Sequence, residues 1–183
     1  MEVGMKLIVI ADRKLNDVNP TECGVECCPA YFFRGPTSRR YYLLHYVFSG
    51  RGTLWVGDKG YPVSPGQIFI IHPYEMVRYS ADPQDPWYYC WVGFELYFDV
   101  LELRNNYILT LPEAEPIFEA LKDADQKGPQ KELFICGKIY ELLSLLGQPP
   151  APELSRAEEY VRLAKQYIDF NYPQDITIEK VAE

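Results

Sequence analysis

From Tyr41 to Phe98 the apolar segments are short, and they are cut by glycine, proline and aspartate. YYLLHYVFS ends at Gly50-Arg51-Gly52, TLWVG at Asp58-Lys59-Gly60, and YPV at Ser64-Pro65-Gly66. QIFII and EMVRYS follow, then the polar loop ADPQDP, then WYYCWVGFELYF. Short apolar strands at close turn spacing build antiparallel sandwiches and barrels. Pro65 and Gly66 suit the two centres of a type II turn, where proline presets φ and glycine accepts a positive one. Several of these strands are apolar on both faces, as a wall needs when it lines an interior and is also covered outside.

The pattern turns helical after Leu111. Pro116 fits the first turn of a helix carrying Ile117, Phe118 and Leu121. Gly128-Pro129 opens a longer one, in which Ile135, Ile139, Leu142 and Leu146 form one stripe with Leu143 beside it. Gly147 stands where a C′ glycine belongs, and Pro149 and Pro150 forbid continuation. The stripe is read either as packing on the barrel or as a seam between two copies. It spans too few heptads to establish a coiled coil.

GQPPAPE reads as a semi-rigid linker. After it, Ser155 and Glu158 form an S-x-x-E capping box. Ala157, Tyr160, Val161, Ala164, Tyr167 and Ile168 then recur at helical spacing, and Asn171-Tyr172-Pro173 ends the helix. QDITIEKVAE opens another, with a Thr177 N-cap and an Ile176–Val181 staple. One helix, a turn and a truncated second helix are the start of a small helical domain.

The net charge of -8 argues against this segment alone gripping a phosphate backbone. No stretch reaches the roughly 18 apolar residues of a membrane span, and Leu7–Ala11 is too short for a signal-peptide core. A cytoplasmic location is the expectation, with no membrane partner. Five cysteines is an odd count for a fully disulfide-bonded secreted domain. Cys23, Cys27 and Cys28 cluster in ECGVECCP, but no second thiol pair or HxxxH stands at ligand spacing. The cluster is weighed as a zinc or redox site against a reduced segment packed on the body.

The stretches HYVFSGRG, PGQIFIIHP, DPWYYCWVGF and NYPQDITIEKVAE carry a family likeness. From about Cys23 to Glu183 the chain resembles regulators of the AraC type. The resemblance implies a mainly β fold with C-terminal helices: a cupin-like double-stranded β-barrel followed by a helical dimerisation segment. It implies an N-terminal arm over 1–22, a ligand-binding barrel over 23–111, a helical segment over 112–148 and a linker over 149–154. Residues 155–183 would be the start of a helix-turn-helix domain that lacks its recognition helix, so DNA would be met only through a missing C-terminal portion. The implied partners are a small effector, a mono- or oligosaccharide, and a second copy in a homodimer with its seam at Ile135, Ile139, Leu142 and Leu146. No cofactor is implied.

A pyranose offers an apolar C–H face and a ring of hydroxyls, so its site needs a flat aromatic plane and a few fixed polar groups. Strand alternation puts Trp87, Tyr89, Trp91 and Gly93 on one side, and Tyr88, Cys90, Val92 and Phe94 on the other. By the resemblance, Trp91 is the indole that stacks on the ligand, with Tyr89 and Tyr79 as polar contacts. Tyr89 stands where a well-known sugar sensor of the family has histidine, which leaves the ligand's identity open. An arginine ahead of the first barrel strand is expected to fork onto vicinal hydroxyls, Arg34 first and Arg40 second.

The competing reading is a metal-dependent cupin enzyme, which needs about three histidines and a glutamate on one metal. Only His45 and His72 are present, without an H-x-H pair, and His72 reads as a turn or rim residue. A third reading is a dimerisation module with a filled barrel. No G-x-S-x-G, phosphate-cradling loop or Rossmann fingerprint is present, so catalytic and metal residues are expected to be none. Glu158 and Glu159 read as a solvated helix face.

Overall fold

The computed structural model describes residues 4–147, 155–171 and 177. The chain divides into two compact units at residues 148 and 149. In the first unit, β1 (Gly4–Ile8), β2 (Val18–Cys27), β3 (Phe33–Thr37) and β4 (Tyr42–Ser49) lead into β5 (Gly52–Val56) and β6 (Lys59–Val63). Then come β7 (Gln67–Ile71), β8 (Val77–Ala81), β9 (Tyr88–Leu96), the short helix α1 (Leu101–Asn105) and β10 (Ile108–Thr110). Helices α2 (Glu115–Leu121) and α3 (Lys131–Leu145) close the unit.

The strands form two antiparallel sheets. One has the order β1-β2-β9-β4-β7-β10 and the other β3-β8-β5-β6. The fold is thus mainly β with C-terminal helices, in the cupin-like jelly-roll class. The pairings leave two separate sheets rather than one closed barrel wall.

Side-chain alternation divides the larger sheet between two cores. Leu43, Val47, Phe69, Tyr89 and Trp91 point toward the smaller sheet and join Leu54, Val63, Val77 and Tyr79. Leu44, Tyr46, Ile68, Ile70, Cys90, Val92 and Phe94 point the other way and pack under α2 and α3. This is why the strands read as apolar on both faces: neither face meets water.

Local signals locate most turns and caps. At Ser64–Gln67 the Gln67 N–H donates to Ser64 O at 3.2 Å, and Gly66 has φ +78°. Proline occupies the start of α2, and Gly147 (φ +69°) follows the end of α3. One turn shifts. Asp58-Lys59-Gly60 was expected to break the chain, but β6 already begins at Lys59, across from Val56. Gly60 is a strand residue facing Trp55, and an added Cβ would sit 2.8 Å from the Trp55 ring.

Two larger differences bear on function. β2 is a ten-residue strand across the expected boundary at residues 22 and 23, so part of the arm is sheet. It also holds Cys23 and Cys27, while Cys28 lies in the inter-sheet core and Cys23 in the helix-side core. Of the two readings weighed for the cluster, a reduced segment packed on the body fits: Cys23 and Cys28 are buried in different cores, and all five thiols are free. The second difference concerns the α3 stripe. Ile135, Ile139 and Leu142 are fully buried and Leu146 nearly so, all within this chain's own core. They pack on the sheet, so they are not a seam for a second copy.

In the second unit α4 (Arg156–Asn171) starts with the expected capping box. Ser155 N–H donates to Glu158 Oε2 at 2.9 Å, and Glu158 N–H to Ser155 Oγ at 3.3 Å. Tyr160, Val161, Tyr167 and Ile168 are exposed along it. The expected linker and the staple at Ile176 and Val181 lie outside the described residues.

Candidate functional site

Between the two sheets lies a cavity of about 190 Å³. Its larger wall is built from one register row across the sheet. Leu7 pairs with Gly24, Gly24 with Trp91, Trp91 with His45, and His45 with Phe69. Because alternate residues share a face, Met5 of β1, Glu22 and Glu26 of β2, Tyr89 of β9 and Leu43 of β4 line the same cavity. From the smaller sheet come Arg34 and Tyr79, which are paired partners on β3 and β8. Arg39, just before β4, completes the rim.

The polar groups are fixed by one another. Tyr89 Oη donates to Glu26 Oε2 at 2.8 Å, and Glu26 is only 8% exposed. Burial pushes the Tyr89 phenol far above its ordinary range, so it stays a donor. Glu22 Oε1 accepts from Tyr41 Oη at 2.6 Å and from Arg39 Nε at 3.4 Å. Burial raises the Tyr79 phenol to about 12, with Arg34 and Arg39 opposing the shift. His45 is 2% exposed. Burial, aided by the Arg39 and Arg34 charges, holds its pKa well below the ordinary 6.5, so the ring is neutral.

The arrangement sets an aromatic plane beside fixed acceptors and donors. Trp91, 6% exposed, supplies the plane. Glu26 and Glu22 supply acceptors, Arg34 and Arg39 donors, and these charges sum to zero. Of the residues expected from the sequence, Trp91, Tyr89, Tyr79 and Arg34 surround this cavity. Trp87 shares the strand face but is fully buried beyond the cavity, stacked on Phe69 at 5.2 Å with its N–H toward Val63 O. Arg40 is 72% exposed and faces Glu95 at 3.7 Å. Both are corrected to positions outside the pocket.

Sequence reasoning missed His45, Glu22, Glu26, Arg39 and the β1 residues Met5 and Leu7. The period-two pattern Glu22–Gly24–Glu26 in TECGVEC was a usable signal. His45 was weighed only as a metal ligand. The two imidazoles lie apart. His72 lines an open groove with Tyr42 and Tyr107, and its nitrogens contact Glu75 Oε2 at 3.0 Å and Leu103 O at 2.7 Å. Among the described residues no group of three His, Cys, Asp or Glu side chains is placed to hold a metal ion. No helix among them is long and apolar enough to cross a membrane.

The cavity's walls coincide with a known sequence family. The chain is 25% identical over 182 residues to the Msm operon regulatory protein of Streptococcus mutans serotype c, covering 91% of this chain and 66% of that protein. It is 25% identical over 187 residues to the lactose operon transcription activator of Staphylococcus xylosus, covering 93% of this chain and 67% of that one. The chain therefore spans about two thirds of the length of these relatives. A solved structure, the AraC-like transcriptional activator CuxR, superposes with a TM-score of 0.48 at 13% identity, over 90% of this chain and 67% of that one. The family model for the AraC-like ligand binding domain matches residues 19–143, which run from β2 into α3 and carry all of the cavity's lining except Met5 and Leu7 of β1. By that match this chain belongs to the AraC-like ligand binding domain family.

Proposed function

We propose that the cavity senses a small sugar and that, within a longer regulator, its occupancy controls genes for sugar use. The observation that carries this is the pairing of an indole plane, Trp91, with flanking carboxylates and guanidinium groups around one partly open cavity. An apolar ring face can lie on the indole while its hydroxyls meet Glu26, Glu22, Arg34 and Arg39. The names of the relatives, regulators of Msm and lactose operons, support the same class of ligand. A cytoplasmic location goes with this role. DNA would be read through a helix-turn-helix portion of which α4 is the first helix.

β1 offers a route from guest to helices. Met5 and Leu7 face the cavity. Lys6, on the other side of the strand, donates to Lys122 O and Asp125 Oδ1, both at 2.8 Å. Farther along, Ala11 N–H and the Arg13 guanidinium hold the buried carboxylate of Glu132 on α3. A guest that prefers one position of β1 shifts the helices' environment by that preference alone. Homodimerisation is part of the proposal. With the stripe buried, two copies would meet through the outward face of α3, where Leu133, Tyr140 and Leu145 are exposed.

A thermal-shift screen with mono- and oligosaccharides tests the reading, because binding to the native state raises stability by mass action. Trp91→Ala is expected to abolish the shift while leaving a cooperative melt. An unchanged shift in that variant removes Trp91 from the site, and silence of the wild type toward every sugar removes the proposal.

A further inference from the structure

We propose that His45 is the selectivity residue of the cavity, exchanging hydrogen bonds with one hydroxyl of a single-ring, uncharged sugar held between the sheets. The inference rests on the sugar-sensing reading above and adds which side chain discriminates and how large the guest is.

The imidazole is held as a reading device. It stacks on Phe69 with ring centroids 4.2 Å apart and planes 3° from parallel. Tyr89 meets it edge-on at 5.1 Å, and Tyr79 and Trp91 flank it at 5.4 and 6.4 Å. Four aromatic neighbours therefore fix its orientation before any guest arrives, which lowers the ordering cost of binding.

The position does not behave as core filling. Leu43 and Val47, two residues either side of His45 on the same strand face, are apolar and buried. His45 is equally buried, yet its Nδ1 has no hydrogen-bond partner. Buried polar atoms are nearly always paired, and an exception needs an explanation. His45 lines the cavity, so a guest hydroxyl is the partner on offer, and because Nδ1 is itself enclosed a guest must displace a neighbouring side chain to meet it. A neutral imidazole presents one donor and one acceptor, and a hydroxyl can answer either.

Charge and size narrow the guest. Glu22 and Glu26 balance Arg34 and Arg39 around the cavity, so an uncharged guest leaves no charge unmatched. The volume of about 190 Å³ falls below the ~300–1,000 Å³ of pockets for drug-sized ligands. A space of this size suits one ring.

The test is isothermal titration calorimetry of the chain with D-galactose, D-glucose and L-arabinose, their monodeoxy analogues, and lactose and raffinose. The wild type is expected to bind at least one monosaccharide and to bind one of its deoxy analogues about tenfold or more weakly. In His45→Leu the parent should weaken to the level of that analogue, so that the discrimination disappears. The variant should melt no lower than the wild type, since it replaces an unpaired buried polar group with an apolar one. If it fails to fold, His45→Phe, which can keep the stack on Phe69, serves the same comparison. Unchanged parent affinity, or the same deoxy penalty, in the folded variant overturns the role of His45 and leaves sugar sensing intact. Binding of lactose or raffinose but no monosaccharide overturns the single ring. No binding of any sugar by the wild type overturns the sugar reading and this inference with it.

Discussion

The indole of Trp91 lies directly against the backbone of Gly24. A Cβ added at Gly24 would fall against Cζ2 of that ring, and 2.6 Å from the carbonyl oxygen of Lys6 on β1. One missing methyl group thus seats both the aromatic plane of the cavity and the edge strand beside it. Gly24→Ala is expected to cost about 1–3 kcal/mol by overpacking. It should also tilt the indole away from any guest. Urea denaturation measures the first effect, and loss of the sugar-induced melting shift the second. A variant that keeps both wild-type values would mean that the ring and β1 can yield without consequence.

Tyr89 and Glu26 form the next test. Tyr89→Phe leaves the Glu26 carboxylate buried without its phenol donor, for an expected loss of about 1–3 kcal/mol. Adding Glu26→Leu should recover much of that loss, because removing both partners of a buried pair costs less than removing one. The double-mutant cycle in urea reads the coupling directly. Additive losses would show that the 2.8 Å contact contributes little.

How much of this was legible beforehand depends on what each residue could be mistaken for. In WYYCWVGF the alternation was readable because both faces of β9 are buried, and Tyr89 and Trp91 duly face the space between the sheets with Cys90 and Val92 behind. Tyr79 and Arg34 come from strands distant in sequence, and only the resemblance placed them near Trp91. β2 was hidden because its charged residues look like a solvent face and its cysteines look like a metal or redox cluster. Glu22 and Glu26 are charges turned inward, and single-sequence patterning assigns charge to the outside. The α3 stripe was visible as a stripe, but periodicity says which residues share a face, not what that face meets. Arg40 failed for a related reason: neighbouring arginines on an irregular segment point in different directions, and Arg39 took the inward one.

His45 gives a pH signature. Its folded pKa is depressed by burial first, then by the guanidinium groups of Arg39 and Arg34. The other titratable groups around the cavity are Tyr79, Tyr89, Glu22 and Glu26. Below the ordinary value of 6.5 the unfolded chain binds a proton that the folded chain refuses. Stability should therefore be fully present above that value and fall as pH drops below it, until the folded pKa is reached. In His45→Leu this part of the slope should vanish. Urea midpoints measured between pH 5 and 8 give the comparison. A wild-type slope that persists unchanged in the variant would assign it to other groups.

The contact between arm and helix makes the last prediction. Glu132, 2% exposed in the first turn of α3, accepts from Ala11 N–H at 3.1 Å and from Arg13 at 3.0 Å. The Ala11 N–H is the main cause holding its carboxyl below the ordinary 4.5, with Arg13 adding to it. A depressed carboxyl pKa stabilises above the ordinary value, and that support is lost as pH falls through the lower folded one. Glu132→Ala strands the Ala11 donor, for an expected loss of about 1–3 kcal/mol at neutral pH. The gap between wild type and variant should then narrow as pH falls below the ordinary carboxyl range and the wild-type carboxylate protonates. Arg13 is half exposed, so its charge should contribute the smaller share. The freed segment should also be cut faster by trypsin at Arg13 and Lys14, and a sugar that favours β1 over the cavity should slow cutting in the wild type. Equal cutting rates in wild type and Glu132→Ala would mean that this carboxylate does not hold the arm. Protection of the wild type by sugar, lost in Glu132→Ala at saturating sugar, would connect the cavity to α3 through β1.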